Sequence, residues 1–186
     1  MDWMAYKKYW EARGFDQREI KEELVEGLLA KDDLPYFRNH TVPGHWTASA
    51  FVWDPVAKKL LLMHHRKLQK WLQPGGHADG DKDLEMVARK ETIEETGIVV
   101  ENPASWAKGM SILDFDIHEI PARKSERAHL HFDVRYLYLA DSNIAPVQNE
   151  ESNGVAWIDE SKIPTLTNEE SLLRPLQKIK QGGWSE

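Results

Sequence analysis

The stretch GGHADGDKDLEMVARKETIEETGI, residues 75–98, runs from a glycine-rich loop into a helix that ends in a concentration of acid. Pro74, Gly75, Gly76 and Gly80 disfavour regular structure, so residues 72–81 are expected to form an irregular loop. From Asp83 to Thr96 the residues suit a helix, with Asp83 as N-cap and Gly97 as the left-handed residue past its end. Turning each residue by about 100° gathers Leu84, Val87 and Ala88 on one side. Glu91, Glu94 and Glu95 fall on that same side, about 20° from its centre. Glu85, Arg89, Lys90 and Thr96 lie opposite, accompanied by Met86 and Ile93. A stripe that begins as core therefore continues as carboxylate.

Glutamates commonly face water, but two features count against simple solvation here. Carboxylates at i, i+3 and i+4 repel one another, and the negative end of the helix dipole is unfavourable to them. Both penalties are small. A divalent cation would turn the repulsion into ligation, and hard ions such as Mg²⁺ and Mn²⁺ take oxygen ligands. Gly75-Gly76 lets backbone approach a ligand without an intervening Cβ, so a loop carbonyl can join the carboxylates.

The stretch resembles the Nudix box, G-x5-E-x7-R-E-U-x-E-E-x-G-U, where U is a bulky aliphatic residue. Gly76, Glu91, Glu94, Glu95, Gly97 and Ile98 occupy their positions without a gap. Lys82 stands where the first Glu belongs, Lys90 replaces the Arg, and Thr92 replaces the aliphatic residue. In the family the missing Glu and Arg form a charged pair that supports the loop–helix joint; Asp81 and Asp83 flank the vacant acidic position. The resemblance implies hydrolysis of a nucleoside diphosphate linked to another moiety, with Mg²⁺ or Mn²⁺ as cofactor. It makes Glu94, Glu95 and the Gly76 carbonyl metal ligands, and Glu91 a further ligand or an activator of water. It also implies a general base on a later loop, for which Glu126 and Glu119 are candidates.

Outward from this stretch, the chain reads as an α/β (α+β) protein. Residues 1–40 are expected to form a helical extension packed on the core. Trp3, Tyr6 and Trp10 recur at helical spacing there, as do Ile20, Leu24 and Leu28. Residues 41–186 carry strand-like runs (HWTASAFVW, KLLLMHH, SILDFDIHEI, HLHFDVRYLYLA, GVAWID) and a closing helix, EESLLRPLQKIKQ, in which Pro175 demands a late start or a kink. Strands on both sides of a helix fit a Nudix-like α/β/α sandwich around a mixed sheet.

The 186 residues carry a net charge of −7 and no cysteine. Disulfides, thiolate metal sites and thiol nucleophiles are excluded, and a nucleic acid polymer is a poor partner for so acidic a chain. A small nucleotide-type molecule is the expected substrate, because a bound cation screens its phosphates. No apolar run reaches membrane-spanning length, and MDWMAYKKYW lacks a signal peptide's apolar segment, so no membrane partner and a cytoplasmic location are expected. The extension leaves room for a homodimer.

The other unusual stretch is LDFDIHEIPARKSERAHLHFDV, residues 113–134. A hairpin centred near Arg123 and Lys124 would set His118 opposite His129 and Asp116 opposite His131, on one face with Asp133. That face is open to three readings: a solvated surface, a wall of the substrate cleft using His118, His129 and His131, or a separate metal site on His129 and His131. His64 and Arg66 run off a strand toward the glycine loop as further substrate-binding candidates. Three functions follow: a Nudix pyrophosphohydrolase, an inactive nucleotide-binding module on the same fold, or a histidine-liganded metalloenzyme.

Overall fold

The computed structural model describes residues 3–15, 22–106, 109–123, 126–150 and 152–185. Its centre is a seven-stranded mixed sheet with β1 (Gly44–Asp54), β2 (Lys59–His65), β3 (Lys70–Leu72), β4 (Gly75–His77), β5 (Ile112–Ile120), β6 (His129–Leu139) and β7 (Ser152–Asp159). The main path runs β3-β2-β1-β6-β5, while β4 also pairs with β1 and β7 with β2. β1 runs parallel to β6 over its whole length, and the other described pairs are antiparallel. All eleven residues of β1 are buried, as expected of a central strand covered on both faces.

Alternation sorts the side chains of β1 and β6 onto two faces. Trp46, Ala48, Phe132 and Val134 share one face, against which α3 (Leu84–Thr96) packs; Tyr138 donates a hydrogen bond to the Glu85 carbonyl there at 2.9 Å. The opposite face carries His45, Thr47, Ser49, His131, Asp133 and Arg135, and α5 (Glu170–Gln181) closes part of it. Beside these lie α1 (Trp3–Glu11), α2 (Glu22–Leu29) and the short α4 (Ile163–Leu166). Trp3, Tyr6 and Trp10 are all buried: Trp3 packs edge-on against Phe115, and Trp10 against Trp106. Of the apolar repeat expected in α2, Leu28 is buried and Leu24 partly so, while Ile20 lies outside the described residues.

Under α5 lies a network of charge. Arg135 donates to Asp133 at 2.8 Å and to Asp114 at 3.0 Å, and also pairs with Asp116 at 3.1 Å. Arg174 reaches Asp114 and Asp116, and Lys178 reaches Asp114 at 2.6 Å and Tyr6 Oη at 3.0 Å. Three cations thus face three carboxylates. The kink expected at Pro175 is resolved here: proline lacks the N–H that would bond Ser171, and Arg135 donates to the freed Ser171 carbonyl at 2.8 Å instead.

Two sequence expectations need correction. Gly75–His77 is not irregular loop but the strand β4, with Gly76 opposite Ala48 of β1. A Cβ on Gly75 would sit 2.6 Å from the Ala48 carbonyl oxygen, so glycine is what permits this close pairing. In the β5–β6 hairpin, His118 faces His131 and Asp116 faces Asp133, two residues from the expected register. An inner Arg123–Glu126 bridge moves the turn's centre forward by one residue; Lys124 itself lies outside the described residues. A shift of two keeps every side chain on its expected face.

Candidate active site

The loop–helix joint is built from α3 and β4. The Asp83 side chain accepts from Met86 N–H at 3.1 Å, and Gly97 at φ +69° donates to the Ile93 carbonyl at 2.9 Å, so both ends are capped as expected. The buried face is centred on Ala88 and Glu95 and extends to Thr92 and Thr96. Thr96 was placed on the wet side by the helical projection; it is fully buried. Its hydroxyl donates to the Thr92 carbonyl at 2.6 Å, and the Thr92 hydroxyl donates to Ala88 at 2.8 Å, which allows both polar groups into the core.

The three glutamates occupy different environments. Glu95 is 7% exposed, and its Oε2 accepts the Gly75 N–H at 2.9 Å, tying helix to strand. Glu91 is half-buried and presses its carboxylate over Gly76; a Cβ there would come within 2.6 Å of it. Glu94 is exposed at the edge of the stripe, with Lys90 Nζ 3.8 Å from its Oε1. Glu91 thus lies against Gly76 and Glu95 against the adjacent Gly75, with Glu94 exposed one residue before Glu95.

The joint is braced from outside the motif. Arg38 grips Asp79 with two parallel hydrogen bonds, Lys82 pairs with Asp33, and Gly80 N–H donates to the Tyr36 carbonyl at 2.8 Å. Gly80 sits at φ +94° with the Phe37 ring where a Cβ would point, so residues 33–38 clamp the loop closely. Asp81 and Asp83 do not take the place of the missing acid. Asp81 bonds the Asp83 N–H at 2.9 Å, and Asp83 caps the helix.

One residue beyond Gly76, His77 enters a cluster of imidazoles on the opposite face of the sheet. Ring centroids of His45 and His131 lie 4.7 Å apart, His77 lies 5.1 Å from His131, and His129 lies 4.8 Å from His45. His118 joins at the edge, 5.4 Å from His131, with its Nδ1 held by Asp116 at 3.0 Å. Burial pushes His45 down to about 4, and burial with neighbouring histidines pushes His131 down to about 2; burial also lowers His77. The shift favours the neutral form of His45, His77 and His131, because a charge on any of them would be desolvated beside other imidazoles.

The remaining candidates lie apart from the three glutamates. Glu126 stands 3.7 Å from His129 Nε2, whereas Glu119 is exposed on the opposite side of β5 from His118. His64 and Arg66 turn to β7: the Asn153 amide donates to His64 at 3.3 Å, and Arg66 donates to the Ser152 carbonyl at 3.2 Å. Sequence reasoning missed His45, His77 and the Arg38–Asp79 clamp. Period-two alternation marks His45 as sharing a face with Thr47 and Ser49, but only the β1–β6 pairing sets it beside His131.

A family model described as the NUDIX domain matches residues 43–178. No curated protein sequence matches the chain. A MutT NUDIX hydrolase from Burkholderia pseudomallei is similar in fold, with a TM-score of 0.56 at 20% identity over 72% of this chain and 96% of that one. The NUDIX domain of Shewanella oneidensis NrtR, solved with ADP ribose, gives 0.56 at 18% identity over 87% and 98%. A C. elegans Ap4A hydrolase gives 0.50 at 15% identity over 73% and 95%.

Proposed function

The chain belongs to the Nudix family, and from that membership we propose that it hydrolyses a phosphoanhydride bond in a nucleoside diphosphate linked to a second group. The observation that carries this reading is the contact of Gly76 with Glu91, beside the Gly75–Glu95 hydrogen bond. It gathers a backbone carbonyl and carboxylates into an all-oxygen donor set, which suits Mg²⁺ or Mn²⁺.

Glu94, Glu95 and the Gly76 carbonyl would hold the ion, with Glu91 as a further ligand or as the acceptor of a proton from attacking water. When bound, the metal neutralises pyrophosphate charge and acidifies water. The chain's own contribution is placement. The Gly75–Glu95 bond fixes the helix C-terminal turn against β4, and the Arg38–Asp79 clamp holds the following loop. Glu126 is a candidate general base on the later loop. A small nucleotide-type substrate is further supported by the ADP ribose bound to the NrtR domain and by the Ap4A hydrolase among the similar structures.

Turnover should appear when ADP-ribose, dinucleoside polyphosphates, nucleotide sugars and nucleoside triphosphates are each offered with Mg²⁺ or Mn²⁺ and scored for released monophosphate or phosphate. Calorimetric binding of these nucleotides with no turnover in either metal would select the inactive binding module instead. Substitution of the paired glycines should separate site from fold. Gly76→Ala meets only the movable end of Glu91, so it should displace the carboxylate and lower kcat by roughly 100-fold, the scale of a 1 Å misplacement. Its melting temperature should hardly change. Gly75→Ala meets the β1 backbone and should instead lower the melting temperature sharply.

A further inference from the structure

The proposed hydrolytic centre uses oxygen donors and leaves the histidine cluster on the other face of the sheet without a task. His45, His77 and His131 each place a ring nitrogen within 4.8 Å of the other two. They come from three strands: His45 and His131 are register partners on β1 and β6, and His77 lies on β4 opposite Thr47. His45 is 1% exposed, and its Nδ1 lies 3.0 Å from the His40 carbonyl. A carbonyl can only accept, so Nδ1 carries the proton and Nε2 presents a bare lone pair. That Nε2 is buried and has no hydrogen-bond partner. A buried acceptor without a donor is costly in an ordinary core, whereas a carbonyl behind one nitrogen and a free lone pair on the other is the arrangement of a metal-ligating histidine.

The neighbouring histidines are engaged otherwise. His129 is held through Nδ1 by the Arg127 carbonyl at 3.0 Å and faces Glu126, and His118 is held by Asp116. They flank the triad and do not complete it. We infer that His45, His77 and His131 form a second metal site, separate from the glutamate centre, that takes a nitrogen-preferring divalent ion of the Zn²⁺ class.

Three imidazole nitrogens about 2.0–2.1 Å from one zinc lie about 3.3 Å apart at tetrahedral angles. Closing from separations of up to 4.8 Å requires each ring to move inward by less than about 1 Å. His77 and His131 are only half-buried, while His45 is anchored by the His40 carbonyl. Three protein ligands leave a fourth position for water or a substrate group. Mg²⁺, which binds oxygen and keeps its water, would not compete well here.

The test is titration of the full chain, stripped with chelator, with Zn²⁺ followed by calorimetry and with Co²⁺ followed by visible absorption. In wild type the intense ligand-field bands of a four-coordinate cobalt centre should saturate at one equivalent, distinct from the weak bands of any cobalt held by oxygen at the glutamate centre. His77→Ala and His131→Ala should each weaken binding by at least about 100-fold, the upper end of what losing a mere outer-sphere partner costs. Glu91→Gln should bind Co²⁺ as wild type does. Zn²⁺ should also shift the ring-nitrogen resonances of His45, His77 and His131 in the wild-type protein while leaving His64 unmoved, a readout that needs no variant to fold. Absence of saturable binding, retention of the cobalt spectrum in both histidine variants, its loss in Glu91→Gln, or unmoved resonances of the three rings would each overturn the assignment.

Discussion

Glu94→Gln is expected to lower kcat in Mg²⁺ by roughly 100- to 1,000-fold while leaving the fold unchanged. The substitution keeps the side chain's size and removes only its charge. A metal ion is worth several kcal/mol to a charged transition state, and each 1.4 kcal/mol is about tenfold in rate. Glu94 is the most exposed of the three carboxylates, and among the described residues it pairs with Lys90, 3.8 Å away at the surface. An exposed pair of that kind contributes little to stability. The melting temperature should therefore stay close to that of wild type, so that loss of turnover reports chemistry. Unchanged turnover of an established substrate would remove Glu94 from the proposed ligand set. Glu95→Gln is a less clean experiment, because the same carboxylate holds Gly75 N–H and the variant can fail through geometry.

The largest stability effect is expected at Arg135. Its guanidinium is 2% exposed and contacts Asp133, Asp114, Asp116 and the Ser171 carbonyl. Arg135→Ala leaves Asp133 without its cation, although Thr47 and Ser49 hydroxyls still donate to it. It also leaves the carbonyl freed by Pro175 unbonded. Removing one partner from a buried ionic network costs about 3–5 kcal/mol, which equilibrium urea unfolding would measure; a loss below about 1 kcal/mol would show the network to be replaceable by solvent.

The same network sets the response to acid. Burial raises the pKa of Asp114, but Lys178, Arg174 and Arg135 outweigh it and hold the carboxyl at about 2, and Asp116 is held well below the usual carboxylate range. Asp54 is also held at about 2: burial is opposed by hydrogen bonds from Ala57, Ser142 and Val56 N–H groups. Folded pKa values below the unfolded value of about 3.9 mean that the unfolded chain binds more protons in acid. Stability from these groups is fully present above about pH 5 and falls as pH drops from about 4 toward 2. His45, His77 and His131, held below the ordinary histidine value of about 6.5 by burial, add a loss that begins at higher pH, because the unfolded chain binds protons there that the folded one does not. Melting temperatures should therefore already decline between about pH 6 and 4 and decline more steeply from about pH 4 to 2.5, where the carboxylates join; a flat response from about pH 6 to 4 would contradict the neutral histidine cluster.

The helix and its caps were readable because Asp83, Gly97 and the spacing of Leu84, Val87 and Ala88 are local signals. So were the faces of β5 and β6, since alternation survives a register shift of two. Thr96 was misplaced because the projection centred the buried side on Leu84, Val87 and Ala88, whereas that side widens through Thr92 and Glu95 to Thr96 in the last turn, where the hydroxyl is satisfied by the carbonyl one turn back. β4 was missed because glycines signal irregularity, yet here their lack of a Cβ admits a strand against Ala48 and Ser49. The histidine triad and the Arg135 network depend on partners distant in sequence, as in the β1–β6 pairing and the docking of α5. No local pattern encodes those. Lys82 and Lys90 left the support of the joint open, and the answer lay in residues 33–38, which carry no recognisable motif.

The most direct measurement is metal restoration on the best substrate from the nucleotide panel. The protein is stripped with chelator, assayed for monophosphate release, and assayed again with Mg²⁺ added in excess, alongside the Glu91→Gln/Glu94→Gln double variant. Turnover should vanish in chelator, return with Mg²⁺ in wild type, and stay absent in the double variant. Turnover that persists in chelator, or that Mg²⁺ restores equally in the double variant, would contradict a hydrolytic centre at the Gly76–Glu91–Glu95 joint.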